Sequence, residues 1–263
     1  MTFISSFSIN SERTAPFPFS IAAVKNAKNI ELKGKVTFLV GDNGTGKSTL
    51  LETLAVHLNL PLIGGFIKTK RGFEAANRLQ EFLDIRWKID RRNGFFFRAE
   101  DFSHFVDSVE RSNSGMNSWL GELKGEVPDH IIGQMKESNN RELREMRKIY
   151  GQDMLAFSHG EAYFKIMNER IKKGGIYLLD EPEAALSPSK QLSLIHFINN
   201  HLAEHMSQFI IATHSPMIMA YPNAQIYQIT EDGMEETTLE ETEHYFLTKS
   251  FLDNPEAYLR HLG

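Results

Sequence analysis

Three segments of the chain are apolar almost without a break: Val36-Thr-Phe-Leu-Val40, Ile176-Tyr-Leu-Leu179 and Gln208 to Ala212. Runs rich in β-branched and aromatic residues, with no polar face, predict strands buried on both sides of a sheet. Helical spacing covers Ser48 to Leu58, Glu161 to Ile171 and Ser189 to His205. Strand and helix alternating in this way predict an α/β fold, a parallel sheet joined by crossover helices. Phe3 to Leu32 mixes short β-prone runs with Pro16, Pro18 and Lys-Asn breakers, which predicts an antiparallel edge sheet rather than helices. Between about Lys68 and Gly151, charged residues interleave with Phe and Leu, and Asn, Gly and Ser cluster around Arg111 to Gly125. That stretch reads as an insert, mostly helical with a loop, and Asn139 to Tyr150 within it reads as a solvated helix. Ile226 to Gly263 predicts a short strand, an acidic turn and closing helices.

The 263 residues suffice for one large α/β domain or a core with an inserted subdomain. With 41% apolar and 24% charged residues, the composition excludes wholesale disorder and fibrous repeats. The formal net charge of −5 leaves nucleic-acid binding to local clusters: Arg86, Lys88, Arg91 and Arg92, with Lys68, Lys70 and Arg71. Surface solvation accounts for the same clusters. The absence of cysteine rules out disulfides and thiolate chemistry and fits a reducing, cytoplasmic setting. Met1 to Asn10 lacks the pattern of a secretory signal, and no apolar run approaches the roughly 20 residues of a spanning helix, so neither export nor membrane insertion is expected.

The chemistry gathers where predicted strands end. Gly41-Asp42-Asn43-Gly44-Thr45-Gly46-Lys47-Ser48 matches G-x-x-x-x-G-K-[ST] between a buried strand and a helix, the setting of a P-loop. Its glycines let backbone N–H groups turn toward a β-phosphate at a helix N-terminus, with Lys47 bridging the β- and γ-phosphates. Ser48 supplies a hydroxyl suited to Mg²⁺, and Thr49 is placed to pack or to assist nucleotide binding. Asp180 and Glu181 close the strand Ile176 to Leu179 with two carboxylates. Alternation points Asp180 to a metal shell and Glu181 to an attacking water, as general base; taken alone, such a pair also serves as a helix cap. His214, in Thr213-His-Ser-Pro216, is a candidate γ-phosphate sensor, and a histidine there also serves to satisfy a backbone carbonyl. Phe157-Ser158-His159-Gly160-Glu161 opens a helix with an anion-binding end, or equally with a capping box.

Taken in order, these elements resemble the nucleotide-binding domain of the ABC ATPase superfamily. The likeness implies a P-loop NTPase with a RecA-like core sheet, a β subdomain with the P-loop at residues 1–67, a mostly helical subdomain with the signature loop at 68–171, and the remaining core at 172–263. It implies a head-to-tail homodimer in which Ser158 and Gly160 of one copy cover ATP held by Lys47 of the other. The signature reads Ser-His-Gly-Glu where the family has Ser-Gly-Gly-Gln, and Gly94-Phe-Phe-Phe-Arg98-Ala-Glu100 replaces the glutamine loop, leaving Glu100 as the nearest polar candidate for metal or water. No tyrosine stands upstream to stack on adenine, and Phe17 and Phe19 are expected in the core. These variant loops look more like stand-alone ATPases related to the SMC and RecF branch, although no heptad repeat is sustained. The expected function is Mg-dependent ATP hydrolysis driving or regulating an unknown protein partner, in DNA repair or phage defence. The alternatives are the ATP-binding subunit of a membrane transporter and a nucleotide-gated scaffold with little turnover.

Overall fold

A computed structural model of the chain describes residues 2–10, 16–63, 73–101, 164, 167, 168, 170, 171, 173–184 and 186–260. The central strands are β3 (Val36–Gly41), β4 (Leu62–Ile63), β6 (Gly94–Arg98), β7 (Ile176–Asp180), β8 (Gln208–Ala212), β9 (Gln225–Ile229) and β10 (Met234–Thr237). They form a seven-stranded sheet in the order β10-β9-β3-β8-β7-β6-β4, parallel throughout except for β10 against β9. Because β8 lies between β3 and β7, the segments that follow all three strands emerge side by side. Register ties them further: Leu39 pairs with Ala212, Ala212 with Asp180, and Asp180 with Arg98, in one row across four strands.

The unbroken apolar runs have a direct cause, since helices cover both faces of the sheet. Phe38, Val40, Tyr177, Leu179, Phe209 and Ile211 pack toward Leu194, Ile198 and Leu202 of α4 (Pro188–Glu204). Leu39, Leu178 and Ile210 pack the opposite way, onto Leu50, Leu51 and Leu54 of α2 (Lys47–His57) and onto Phe3 and Phe7. Each such side chain, fully buried, contributes about 2 kcal/mol. A second sheet, antiparallel in the order β2-β1-β5, joins β1 (Ile4–Ile9) to β2 (Ile30–Glu31) and β5 (Leu83–Trp87). Buried Gln208 ties the two sheets together: its Oε1 accepts from the backbone N–H groups of Phe3 at 3.0 Å and Ile4 at 2.9 Å, and its Nε2 donates to the Ile4 carbonyl.

Two expectations need correction. A short helix, α1 (Ala22–Lys25), sits within the segment expected to be all strand. Residues 74–98 of the expected helical insert contain α3 (Glu74–Leu79) but also β5 and β6. In β5, Leu83 is buried while Asp84 and Arg86 are exposed, a two-residue period hidden by a count of charges; in β6, Phe95, Phe96 and Phe97 are buried consecutively on the two faces. Arg111 to Gly125 and Asn139 to Tyr150 lie outside the described residues. Beyond β8 come α5 (Pro216–Met219), β9 and β10, then α6 (Glu243–Asp253) and α7 (Pro255–Leu259), which leave Phe246, Leu247, Phe251 and Leu252 exposed. No helix among the described residues is long and apolar enough to cross a membrane.

Candidate functional site

The loop from Gly41 to Ser48 turns from β3 into α2 through positive φ angles of 150° at Gly41, 83° at Gly44 and 94° at Gly46. Packing adds to the conformational demand at two of them. A Cβ at Gly46 would meet Ile21 Cγ2 at 2.1 Å, and one at Gly41 would meet the Ile229 carbonyl oxygen at 2.4 Å. Thr45 Oγ1 donates to the Asp42 carbonyl at 2.8 Å, while Asp42, Asn43 and Gly44 stand exposed at the tip. Lys47 is buried, and its Nζ donates to the carbonyls of Gly41 at 2.7 Å and Asp42 at 2.9 Å, leaving the ammonium one further N–H for a ligand. Burial lowers its pKa, and the nearby Glu181 and Asp180 oppose that shift. An open cleft of about 760 Å³ runs from this loop along α1 and the end of β9, on the side of β3 away from β7.

On the other side of the loop, the ends of β7 and β8 deliver the remaining groups. Ser48 Oγ donates to Asp180 Oδ1 at 3.1 Å. Burial pushes Asp180 up to about 6, against the Ser48 hydrogen bond and the Arg98 guanidinium, which hold it down. Glu181 turns the other way: its φ is 48°, a left-handed conformation that costs a residue with a Cβ about 1 kcal/mol. Its N–H donates to the Ala212 carbonyl at 2.9 Å, and its half-exposed carboxylate stands 3.6 Å from His214 Nε2. His214 leaves β8 with its backbone N–H donating to Glu183 Oε1 at 2.6 Å. Burial, followed by Lys47 and His244, lowers the His214 pKa, so the ring is neutral at neutral pH. Thr49 is half-buried, and its carbonyl accepts from Thr53 Oγ1 at 2.7 Å, within α2.

The structure thus brings Lys47, Ser48, Asp180, Glu181 and His214 to one edge of the sheet. Glu100 lies apart from them, 66% exposed and paired with Arg98 Nη2 at 2.9 Å. Ser158 and Gly160 lie outside the described residues, as do Lys68, Lys70 and Arg71. Arg86, Lys88, Arg91 and Arg92 are exposed, and Arg92 pairs with Asp90 and covers the Trp87 ring. Phe17 is not in the core but 63% exposed, since the turn preceding α1 faces it to solvent, whereas Phe19 packs edge-on against Phe82.

Three residues near this edge escape a reading of the sequence. Arg98 reaches four carboxylates: Glu52 at 3.1 Å, Glu100 at 2.9 Å, Asp180 at 3.6 Å and Asp101 at 3.7 Å. Its signal was present, a cation closing an apolar strand, but only sheet register shows that this strand neighbours Asp180. The 3.1 Å ion pair favours ionised Glu52, yet burial outweighs it and pushes Glu52 up to about 7, because one guanidinium is shared among four acids. Glu183 holds the His214 backbone, and His244 of α6 meets the His214 ring; neither contact has a sequence signal.

Residues 27–184, more than half of the chain, match a family model described as ABC transporter, and residues 166–220 match an AAA domain model. The chain is 26% identical over 246 residues to the nisin transport ATP-binding protein NisT of Lactococcus lactis subsp. lactis, an alignment covering 87% of this chain and 38% of that protein. It is 26% identical over 199 residues to the energy-coupling factor transporter ATP-binding protein EcfA2 of Staphylococcus epidermidis, covering 75% of this chain and 66% of that one. The chain therefore spans well under half of NisT and just under two thirds of EcfA2. A solved structure of cbiO1 from Clostridium perfringens, part of the ABC transporter complex cbiONQ, superposes with a TM-score of 0.48 at 16% identity, covering 98% of each chain. NisT and EcfA2 are named as transport ATP-binding proteins and lend nothing to a placement near the SMC and RecF branch. With the P-loop and its carboxylates in place and the family model spanning them, the chain belongs to the ABC transporter family.

Proposed function

We propose that the chain is the ATP-binding subunit of an ABC transporter, hydrolysing Mg-ATP as a head-to-tail homodimer at the cytoplasmic face of a membrane partner. One observation carries the hydrolytic part: Lys47, Ser48, Asp180, Glu181 and His214 converge where β3, β7 and β8 end. Phosphates seated on the loop N–H groups and Lys47 would place the γ-phosphate toward β7 and β8 and leave the nucleoside the cleft beside β9. Glu181, half-exposed and beyond the buried Asp180, takes the proton of the attacking water. His214 donates to the γ-phosphate oxygens, where charge builds up during transfer. The Ser48 hydroxyl and the Asp180 carboxylate, both hard oxygen donors 3.1 Å apart, fit Mg²⁺ and would hold it. When bound, that ion supplies charge neutralisation to the phosphates. Ser158 and Gly160 of a second copy are proposed to close the site.

The transport reading takes precedence over repair or defence because NisT and EcfA2 are named as transport ATP-binding proteins, and Arg92 of the exposed basic cluster already pairs with Asp90. Gel filtration of Glu181→Gln with and without ATP tests the core of the proposal. An ATP-dependent shift to dimer with hydrolysis abolished is expected, and Lys47→Ala should bind no nucleotide. Turnover at the parent rate in Glu181→Gln would remove the general-base assignment. Pull-down from membranes should retain a polytopic protein, and repeated failure to do so would leave a stand-alone ATPase.

A further inference from the structure

His214 makes an unusual contact for a residue read as a phosphate sensor: its Nδ1 lies 2.8 Å from Nε2 of His244, with the ring centroids 4.9 Å apart. Only one proton fits between two nitrogens at that distance, so one ring donates and the other accepts. The surroundings distinguish the two arrangements. If His214 donated from Nδ1, its Nε2 would carry a lone pair facing Glu181 Oε1 at 3.6 Å, and His244 Nδ1 would carry a proton. That His244 nitrogen is buried and has no hydrogen-bond partner among the described residues, so it would be an orphaned donor. The reverse arrangement removes the lone-pair repulsion and moves the unpartnered N–H from His244 Nδ1 to His214 Nε2, where the Glu181 carboxylate faces it. His244 then donates from Nε2, and the proton of His214 sits on its own Nε2, which faces Glu181. His214 Nε2 is likewise buried and unpartnered, as suits a donor awaiting an anionic oxygen.

We propose that His244 is a positioning residue for ATP hydrolysis: its Nε2–H holds the His214 ring in the tautomer and orientation that present Nε2–H to the γ-phosphate. The proposal rests on the reading of His214 given above. It makes α6, which buries none of its own residues, a contributor to the site from nearly 200 residues beyond the P-loop. No covalent step is involved, only the placement of one proton. The same logic underlies the carboxylate that orients a catalytic histidine in hydrolytic triads.

The test compares steady-state hydrolysis by the full chain and by His244→Phe, His244→Gln and His214→Ala. His244→Phe keeps a ring but no donor, and should lower kcat about tenfold or more with KM for ATP within about twofold. His244→Gln places an amide N–H near the lost Nε2 and should recover most of the loss. Parent kcat in His244→Phe, or equal losses in the Phe and Gln variants, would overturn the proposal. If His214→Ala loses turnover while His244→Phe keeps it, only the His244 role falls; if His214→Ala itself is unimpaired, the reading of His214 falls as well. Should His244→Phe not fold, imidazole nitrogen NMR of the parent chain decides: a proton on His214 Nε2 supports the proposal, and one on Nδ1 refutes it.

Discussion

At the scale of single residues, Arg98 governs the electrostatics of the edge where Glu52 and Asp180 lie. One guanidinium, 21% exposed, faces carboxylates from α2, from β7 and from the residues just after β6, with Glu52 and Asp180 the most buried among them. Removing it strands those carboxylates, and Arg98→Ala is expected to destabilise the chain by about 3 kcal/mol at pH 8, read from denaturant unfolding. The loss should shrink toward pH 5, because Glu52 near 7 and Asp180 near 6 take up protons and no longer need a counter-charge. A loss that does not depend on pH would show that Arg98 acts through packing alone, for instance against the Phe73 ring, whose centroid is 5.8 Å away. Residue chemistry was legible in the sequence where a motif has a fixed spacing, as at Lys47 and Ser48. It was illegible at Arg98, Glu183 and His244, because Arg98 meets Asp180, Glu183 meets His214 and His244 meets His214 across 82, 31 and 30 positions of sequence.

At the scale of elements, α4 shows how a polar residue is kept inside the core. His201 is buried, its Nε2 lies 2.8 Å from Ser207 Oγ, and Tyr177, Phe197 and Phe209 surround it. Burial lowers its pKa to about 4 from the model-compound 6.5. The folded form therefore binds fewer protons than the unfolded form between those values. The associated stability is fully present above pH 6.5 and lost as pH falls toward 4, about 3 kcal/mol in all. Urea unfolding across that window should show the decline, and His201→Gln should flatten it; an unchanged slope would mean that other histidines set the acid limit. Elements with a continuous apolar run, β3, β7 and β8, could be placed from the sequence to within a residue. Elements such as β5 were not, because its alternation is five residues long and embedded among charges.

At the scale of the whole molecule, Gln208 decides how the antiparallel sheet sits on the core. Its amide satisfies three backbone groups of Phe3 and Ile4 across more than 200 positions of sequence. Gln208→Leu would leave two N–H groups and a carbonyl buried without partners, so a destabilisation on the order of 3 kcal/mol is expected. A smaller effect in thermal unfolding, below about 1 kcal/mol, would mean that apolar packing of Phe3 and Ile4 alone holds the sheets together. The substitution acts at the start of β8, the opposite end of that strand from His214, so nucleotide affinity of the folded fraction should be retained.

The sequence alone determined the α/β class, the phosphate loop and the identity of the carboxylates after Leu179, because each depends on short-range periodicity or on spacing within a few residues. It also carried the resemblance to the ABC ATPases, an ordering of motifs along the chain. Only the tertiary structure decided that β8 runs between β3 and β7, which sets His214 beside Glu181 rather than at a distant strand end. Only the same packing brought Arg98 to Asp180 and His244 to His214. Strand order and helix docking depend on long-range burial, and no local pattern of residues encodes which strand will lie next to which.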